Sequence, residues 1–426
     1  MDTKIILSEG LELQEKLIEI RHHLHANPEI GFDLHETYRY VYDKLVEFGY
    51  APHKYGKMGL IATVGHKVST DGVAQDKTIL LRADMDALPI TEETPLDFAS
   101  SNGNMHACGH DMHTTMLLGA AKILKKHESE LKGQVVLCFQ PAEELLEGAK
   151  DMIESGVLRD TTPDAALMIH VTVGMPFETG TVVVCDGGVS APAADYFKIS
   201  IQGTGCHGAM PQLGVDPITV AAHIVTSLQE IHARELSMFD DAVLTIGSLH
   251  AGNAANAIPD TAELTGTIRA YDEEVRSFIK KRMEEIITSV ASGFRAKAIL
   301  EFTSGCPTLI NDATLSRDIS QYMKELLGPQ KAFTKAELLA LSSQTNTSGG
   351  NNASGSNKSA KATGSEDFAY FSQEIPSIML ALAAGNSQTG CEYPLHHPEV
   401  TFDENVLGIG SAVYAYNAIR WLATSE

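Results

Sequence analysis

Long apolar runs and paired cysteines are both missing from this chain of 426 residues. No stretch approaches the ~20 consecutive apolar residues that a membrane-spanning helix needs. The first residues reach Ser8 and Glu9 before the apolar core of a leader peptide could form. The six cysteines are scattered without a C-x-x-C pair, which is typical of reduced thiols. We therefore expect a cytoplasmic protein without a membrane partner.

Positive charge is also scarce. Lysine and arginine total 32 against 55 aspartates and glutamates, so the formal net charge is -23. A surface this acidic repels phosphate backbones and anionic membranes, which argues against a nucleic-acid partner. We expect a small-molecule substrate, and any carboxylate on it must meet a local positive group.

Hydrophobic periodicity predicts an α/β fold. Helical spacing over residues 11–25 and 36–48 is followed by short apolar runs that suit strands buried on both faces. These runs are Leu60–Val64, Thr78–Leu81, Val135–Phe139 and Ala165–Ile169. A further strand at Ser377–Ala383 and a closing helix at Asn405–Trp421 complete an α/β sandwich around a parallel or mixed sheet.

A second domain is predicted inside the first. Residues 195 to 303 read strand, helix, strand, strand, helix, strand, which is the βαββαβ order of a ferredoxin-like domain. The predicted boundaries are 194–303 for the inserted domain and 1–193 with 304–426 for the discontinuous catalytic domain. The Ser/Asn/Gly-rich segment 341–361 is predicted to be a flexible surface loop.

Two short motifs combine metal-ligating and acidic side chains. Cys108 and His110 are two residues apart, and in an extended segment both would point to one metal. Glu143 and Glu144 follow the run Val135–Phe139, and an extended backbone would send one carboxylate to a metal and the other to a water. Taken alone, a buried cysteine beside a satisfied histidine, or an acid pair at a helix N-terminus, explains each motif equally well.

Further candidate ligands lie at or beyond the ends of other predicted strands. His170 ends the run Ala165–Ile169 and His396 precedes the final helix, although a lone histidine at a strand end is more often structural. Asp84 and Asp86 follow the run at 78–81 and suit the orientation of a ligand histidine or a catalytic glutamate. Strand ends of an open sheet converge on one edge. Together the side chains form the ligand mix of zinc or manganese sites.

Eight motifs in order resemble the amidohydrolase branch of the aminoacylase and carboxypeptidase-G-like metallopeptidases, which includes hippurate hydrolases and indoleacetyl-amino acid hydrolases. The motifs run nearly end to end: Arg21–His25 with Pro28 and Glu29, Arg82–Pro89, His106–Asp111, Gln140–Glu144, Gly205–Gly208, Asn256–Pro259, Gly364–Phe368 and Leu395 with His396. The resemblance implies a zinc-peptidase-like α/β/α catalytic domain and an inserted lid domain that also forms homodimer contacts.

The resemblance also implies a metal centre. It would hold two divalent ions, zinc or manganese with cobalt or nickel as substitutes, on five side chains: Cys108, His110, Glu144, His170 and His396. Glu143 is implied as the general base, and Asp86 is implied to support the site. In the wider superfamily a histidine ligand stands where Asp84 is here, which leaves Asp84 without an assigned role.

The predicted small domain adds three candidates. His207 lies among Gly203, Gly205 and Gly208, on a loop that can approach a ligand closely, and it is a candidate donor to an oxyanion. Asn256 and Arg269 are candidates for holding the substrate carboxylate, a role that suits an arginine fork. An exposed histidine in a loop and an exposed arginine on a strand are the ordinary structural alternatives.

The implied reaction is hydrolysis of the amide bond of N-acyl amino acids. The acyl group would be acetyl, benzoyl or another aryl-acyl group, and the products would be a carboxylic acid and a free amino acid. A dipeptidase or aminopeptidase on the same fold stays open, because the sequence does not show whether the pocket takes an acyl group or a free amine. A metal-dependent binding protein without catalysis is a third hypothesis, and the presence of Glu143 argues against it.

Overall fold

The computed structural model describes residues 3–66, 69–70, 73–74, 77–174, 177–345 and 361–424. The chain divides into two compact units. The large unit comprises Met1–Ser190, Ile310–Ala360 and Tyr370–Glu426, and the small unit comprises Ala191–Leu309 and Lys361–Ala369.

Strands and helices alternate along the large unit, as the sequence predicts. In chain order the strands are β1 His53–Tyr55, β2 Gly59–Gly65, β3 Ser69–Thr70, β4 Val73–Ala74, β5 Lys77–Asp84, β6 Gly133–Gln140, β7 Ala165–Thr172, β8 Val182–Val184, β9 Gly188–Ala191, β10 Ala193–Gln202, β11 Cys206–His207, β12 Ala242–Ala251, β13 Ala257–Ile258, β14 Thr261–Ala270, β15 Lys297–Cys306, β16 Leu309–Asn311, β17 Ala332–Thr334 and β18 Ser377–Ala383. The helices are α1 Thr3–Glu12, α2 Gln14–Ala26, α3 His35–Glu47, α4 His110–Lys126, α5 Gly148–Glu154, α6 Val157–Thr161, α7 Pro217–Glu230, α8 Glu273–Gly293, α9 Ala313–Leu327, α10 Lys335–Thr345, α11 Ala369–Glu374 and α12 Val406–Ala423.

An eight-stranded sheet forms the centre of the large unit, in the order β1-β2-β6-β5-β7-β18-β8-β17. The four central strands β6, β5, β7 and β18 run parallel to one another. Every residue from Thr78 to Asp84 of β5 is buried, because helices cover a parallel sheet on both faces. This burial explains the continuous apolar runs, and the predicted α/β fold is confirmed.

Helices α4 and α12 pack against each other and against the central strands. Most side chains of α12 are buried, which explains why its sequence is apolar all round instead of along one stripe. Among the described residues, no helix combines the length and the hydrophobicity that crossing a bilayer requires.

The small unit has the predicted βαββαβ order, from β10 through α7, β12, β14 and α8 to β15. Its antiparallel sheet has the strand order β12-β14-β10-β15. Exposed and half-buried residues alternate along most of β15, because α7 and α8 cover only one face of this sheet. The separate two-stranded sheet of β11 and β13 carries the predicted glycine-flanked loop.

Two local predictions need correction. The helix predicted at 11–25 is not continuous. Its first residues belong to the end of α1 and the rest to α2, and Leu13 forms a turn between the two helices. The predicted loop at 341–361 starts too early, because residues 341–345 complete helix α10. Residues 346–360 of that loop lie outside the described residues.

Candidate metal centre

Three parallel strands bring several of the candidate residues of the large unit to one edge of the sheet. Asp84 ends β5 and lies beside Gln140, which ends β6. His170 lies near the end of β7, the other neighbour of β5. Asp86 and Glu143 follow two and three residues beyond their strands, so both begin in the loops at this same edge.

The Cys108 and His110 motif does not form an extended segment, which corrects the geometric expectation. Helix α4 begins at His110, and Gly109 before it has φ +88, in the left-handed region. A Cβ on Gly109 would lie 2.4 Å from Cγ2 of Val171, so the turn requires glycine. The side chains nevertheless converge, because the ligand atoms of Cys108, His110 and His170 all lie within 4.8 Å of one another.

The two glutamates lie in a turn, so the expected opposite directions on an extended strand are wrong. Ala142 before them has φ +53, which bends the chain sharply after Gln140. Their backbone N–H groups donate to the two carboxylate oxygens of Asp86, from Glu143 at 3.0 Å and from Glu144 at 3.2 Å. Both glutamate carboxylates therefore face Nε2 of His110, each at 3.9 Å.

Two ligand groups share one thiol. Cys108, His110 and His170 form the first group, and Cys108, Glu144 and His396 form the second. Sγ of Cys108 lies 3.6 Å from Nε2 of His170, and Nε2 of His396 lies 3.6 Å from a carboxylate oxygen of Glu144. The five predicted ligands therefore form one continuous cluster in the large unit. His396 is its most open member, with 52% of its side chain exposed.

Hydrogen bonds leave a ring nitrogen of two histidines directed into the cluster. Nδ1 of His110 donates to the carbonyl of Asp86 at 2.8 Å, and Nδ1 of His170 donates to the carbonyl of Val171 at 2.7 Å. A carbonyl can only accept, so Nδ1 carries a proton in each ring, and Nε2 offers its lone pair whenever the ring is neutral. This arrangement is typical of histidines that bind metal ions.

The donor set fits divalent cations. Nε2 of His110 and Oε1 of Glu144 are buried and lack a hydrogen-bond partner among the described residues. Burial raises the pKa of the Glu144 carboxyl to about 7. The nearby carboxylates of Asp86 and Asp84 raise this pKa further, whereas His110 lowers it. Burial also raises the pKa of the Cys108 thiol. A cation would offset these penalties by favouring the carboxylate and the thiolate.

A buried polar network supports the first turn of α4 and accounts for the Arg21–His25 motif. Asp111, next to His110, accepts from Nε of Arg21 at 3.0 Å and from Nδ1 of His25 at 2.9 Å. Nε2 of His25 lies 3.0 Å from Glu92. Burial alone would lower the pKa of His25, but its bonds to Asp111 and Glu92 raise it to about 9. The network thus holds a charged histidine behind the cluster.

His113 was not among the residues predicted from the sequence, although its position three residues after His110 places both on one helix face. Nδ1 of His113 lies 2.6 Å from Asp84, and Nε2 accepts from the backbone N–H of Val171 at 2.9 Å. Burial alone would raise the pKa of Asp84, but His110, His113 and Arg82 hold it well below its usual range. Asp84 is therefore a buried anion beside the cluster.

The small-unit candidates do not all lie together. His207 on β11 is exposed and pairs with Ala257, and the carbonyl of Asn256 accepts from the backbone N–H of Gly208 at 2.8 Å. Arg269 lies near the other end of β14, eight residues beyond Thr261, or roughly 26 Å along the strand. Within one copy of the small unit, Asn256 and Arg269 therefore cannot hold the same carboxylate.

An α/β sheet with a Cys, His and Glu cluster at its strand ends is typical of a metal-dependent enzyme. The chain belongs to the peptidase family M20/M25/M40, whose family model matches residues 80–420. It is 35% identical to the N-acetyl-L-cysteine deacetylase of Bacillus subtilis over 97% of this chain and 90% of that protein. It is also 35% identical to the Arabidopsis thaliana IAA-amino acid hydrolase ILR1-like 2, over 99% and 89%.

A solved structure shows the same fold. The Bacillus subtilis YXEP protein, described as a dinuclear metal binding peptidase from the M20 family, superposes with a TM-score of 0.72 and 30% identity. The match covers 97% of this chain and 99% of that one. The predicted membership of the amidohydrolase branch is confirmed.

Proposed function

We propose that this protein hydrolyses the amide bond of N-acyl amino acids and releases a carboxylic acid and a free amino acid. The observation that carries the proposal is the buried Glu143, which lies with His110 and Glu144 in one group whose ligand atoms are within 4.8 Å. A carboxylate beside a metal-ligand cluster suits general-base hydrolysis. The names of the two similar proteins, a deacetylase of N-acetylcysteine and a hydrolase of IAA-amino acids, support an acyl group over a free amine.

We also propose that the centre holds two divalent ions, zinc or manganese, with cobalt or nickel as substitutes. One ion would use Cys108, His110 and His170, and the other would use Cys108, Glu144 and His396. Five such side chains exceed what one tetrahedral structural site takes. Bound ions would polarise the scissile carbonyl and lower the pKa of a bound water towards ~7.

Residues of the chain would transfer the proton, hold the glutamates in place and bind the substrate carboxylate. Glu143 takes the proton of the attacking water and passes it to the leaving amine. Asp86 holds Glu143 and Glu144 through their backbone N–H groups, which keeps both carboxylates facing the cluster. Arg269 is a weaker candidate for the substrate carboxylate than Asn256, because its guanidinium already donates to the carbonyl of Ile268 and stacks on Tyr196.

A substrate panel tests the proposed reaction. Purified protein loaded with Mn²⁺, Zn²⁺ or Co²⁺ should release free amino acid from N-acetyl, N-benzoyl or N-indoleacetyl amino acids, measured by an amine-reactive assay. The matched comparison is a dipeptide with the same C-terminal residue and a free α-amine. Faster hydrolysis of the dipeptide than of every N-acyl compound would assign the protein to the dipeptidase alternative.

We further propose a homodimer formed through the small unit. Val243 and Leu249 on β12 and Ile299 on β15 are exposed apolar side chains. Among the described residues, β12 pairs only with β14, so its other edge offers unpaired backbone groups. We also propose a cytoplasmic location, where the six cysteines would remain reduced thiols.

His207 is proposed as a donor to the oxyanion that develops during hydrolysis. Its Nδ1 accepts from the backbone N–H of Ala209 at 3.1 Å, so the ring proton resides on Nε2 and can be donated to a ligand. We expect His207→Ala to lower kcat by ~10²–10³-fold, as for other lost oxyanion donors, with a smaller change in KM. Steady-state kinetics and elemental analysis check this, and an unchanged kcat would contradict it.

Mixed dimers test whether His207 serves its own subunit or a partner. His207→Ala and Glu143→Gln proteins, each nearly inactive, are mixed after light scattering has established a dimer mass. If His207 acts across subunits, a mixed dimer contains one site with both intact residues and regains part of the activity. No recovery after subunit exchange has been verified with tagged chains would place His207 and Glu143 in the same subunit's site.

A further inference from the structure

Three buried side chains lie directly behind the proposed metal ligands. Arg82, Asp84 and His113 are each 0% exposed. One carboxylate oxygen of Asp84 is paired with Nδ1 of His113 at 2.6 Å, and the other accepts from Nη1 of Arg82 at 2.6 Å. Both oxygens of Asp84 are therefore engaged within the protein.

The tautomer of His113 follows from its second partner. Nε2 lies 2.9 Å from the backbone N–H of Val171, which can only donate. Nε2 is therefore the acceptor, and Nδ1 carries the proton that is donated to Asp84. A neutral imidazole with this one tautomer connects Asp84 to the backbone of β7.

The peptide groups of Val171 connect His113 to a proposed ligand. The N–H of Val171 is held by His113, and its carbonyl accepts from Nδ1 of His170. His113 thus fixes the backbone that orients the His170 ring. Thr114 adds a bond from its hydroxyl to the carbonyl of Asp84 at 2.7 Å, which ties helix α4 to the end of β5.

Asp84 could instead be a ligand, because atoms of Asp84, His110 and His113 lie within 4.8 Å of one another. Nε2 of His110 is 3.8 Å from Asp84, beyond hydrogen-bond distance. A metal there would compete with Arg82 and His113 for the carboxylate oxygens of Asp84, and losing either bond would leave a buried donor unsatisfied, which is costly. We propose that Asp84 and His113 are positioning residues, one step behind the metal ligands, that orient His170 through Val171. This inference rests on the metal centre proposed above.

Two substitutions of His113 separate its two bonds. In His113→Asn the amide reaches the position of Nδ1 and can donate to Asp84, but it ends short of Val171. In His113→Gln the amide reaches the position of Nε2 and can accept from Val171. Losing a partner behind a metal ligand typically weakens metal binding ~10–100-fold. We expect that weakening for His113→Asn and partial rescue for His113→Gln.

The measurement is Co²⁺ binding to the metal-free protein, by competition with a chelator, together with the visible spectrum of the cobalt form. The thiolate-to-cobalt absorption reports the geometry at Cys108 and its neighbours, so a mispositioned ligand shifts it. Ser411→Ala is the control, because it also removes a buried hydrogen-bonding side chain, but one whose hydroxyl donates within α12, to the carbonyl of Leu407. We expect this control to lower Tm but to keep the wild-type Kd and spectrum.

Asp84→Asn separates positioning from ligation. A positioning residue leaves two Co²⁺ bound at saturation with a weaker Kd, whereas loss of a ligand lowers the stoichiometry itself. Wild-type Kd and spectrum in His113→Asn, or a lost ion in Asp84→Asn, would overturn the inference. Failure of the wild-type protein to bind Co²⁺ would overturn the proposed metal centre as well, so the two failures are distinguishable.

Discussion

Replacing Glu143 with glutamine is expected to lower kcat by ~10²–10⁴-fold while the bound metal stays unchanged. Glutamine matches glutamate in size, so the buried side chain leaves no cavity. The backbone bond from residue 143 to Asp86 is also kept, because it does not involve the side chain. Only the ability to take a proton from water is lost. Steady-state kinetics and elemental analysis of the same preparation measure the two quantities.

Glu144→Gln is the matched comparison, because the two residues are adjacent and have equivalent bonds to Asp86. Glu144 belongs to the ligand group with Cys108 and His396. A neutral amide is a weaker ligand for a hard cation, so this variant should lose metal as well as activity. If the two variants lose the same amount of metal, or if Glu143→Gln keeps kcat within a few-fold of the parent, the division of roles is wrong.

The positions of the ligands along the chain were predictable because buried parallel strands have a simple signature. The run before Asp84 and the run before His170 are each apolar on both faces, and both become strands that end at one edge. The apolar pattern alone therefore predicts that several candidate ligands lie near one another at one edge of the sheet. Helix α12 was predictable for a related reason, because its sequence is apolar over its whole length.

The local geometry around the ligands was not predictable in the same way. The turn at Glu143 depends on Ala142 at φ +53, and alanine gives no sign of a left-handed conformation in a sequence. The helix start at His110 depends on Gly109, whose packing against Val171 involves residues far apart in the chain. Such conformations are imposed by tertiary packing, so local spacing predicted an extended backbone at both places.

His113 shows a second limit of sequence reasoning. A histidine on a buried helix face is typical of a core residue with satisfied hydrogen bonds, and His113 does bond to Asp84 and to Val171. Its connection to His170 depends on how α4 packs against β7, which brings together residues 58 positions apart. No local motif encodes that contact.

Replacing Cys108 with alanine is expected to remove both metal ions and to abolish hydrolysis. Cys108 belongs to both ligand groups, so its loss leaves His110 and His170 on one side and Glu144 and His396 on the other. Two protein ligands are fewer than the three of catalytic zinc sites. His396→Asn should be milder, because it removes a ligand from only one group. Elemental analysis should therefore find close to two, one and zero ions in the parent, His396→Asn and Cys108→Ala.

Cys138→Ala is the control for losing a buried thiol. Cys138 is 0% exposed on β6 and approaches Sδ of Met152, and it belongs to neither ligand group. This variant should keep two ions and the parent kcat with a modestly lower Tm. Chelator treatment of the parent should reproduce the inactive Cys108→Ala state, and added Mn²⁺, Zn²⁺ or Co²⁺ should restore the parent but not the variant. A Cys108→Ala protein that retains two ions would show that the Cys108 thiol is not shared between two metal ions. That result would contradict the proposed two-ion arrangement.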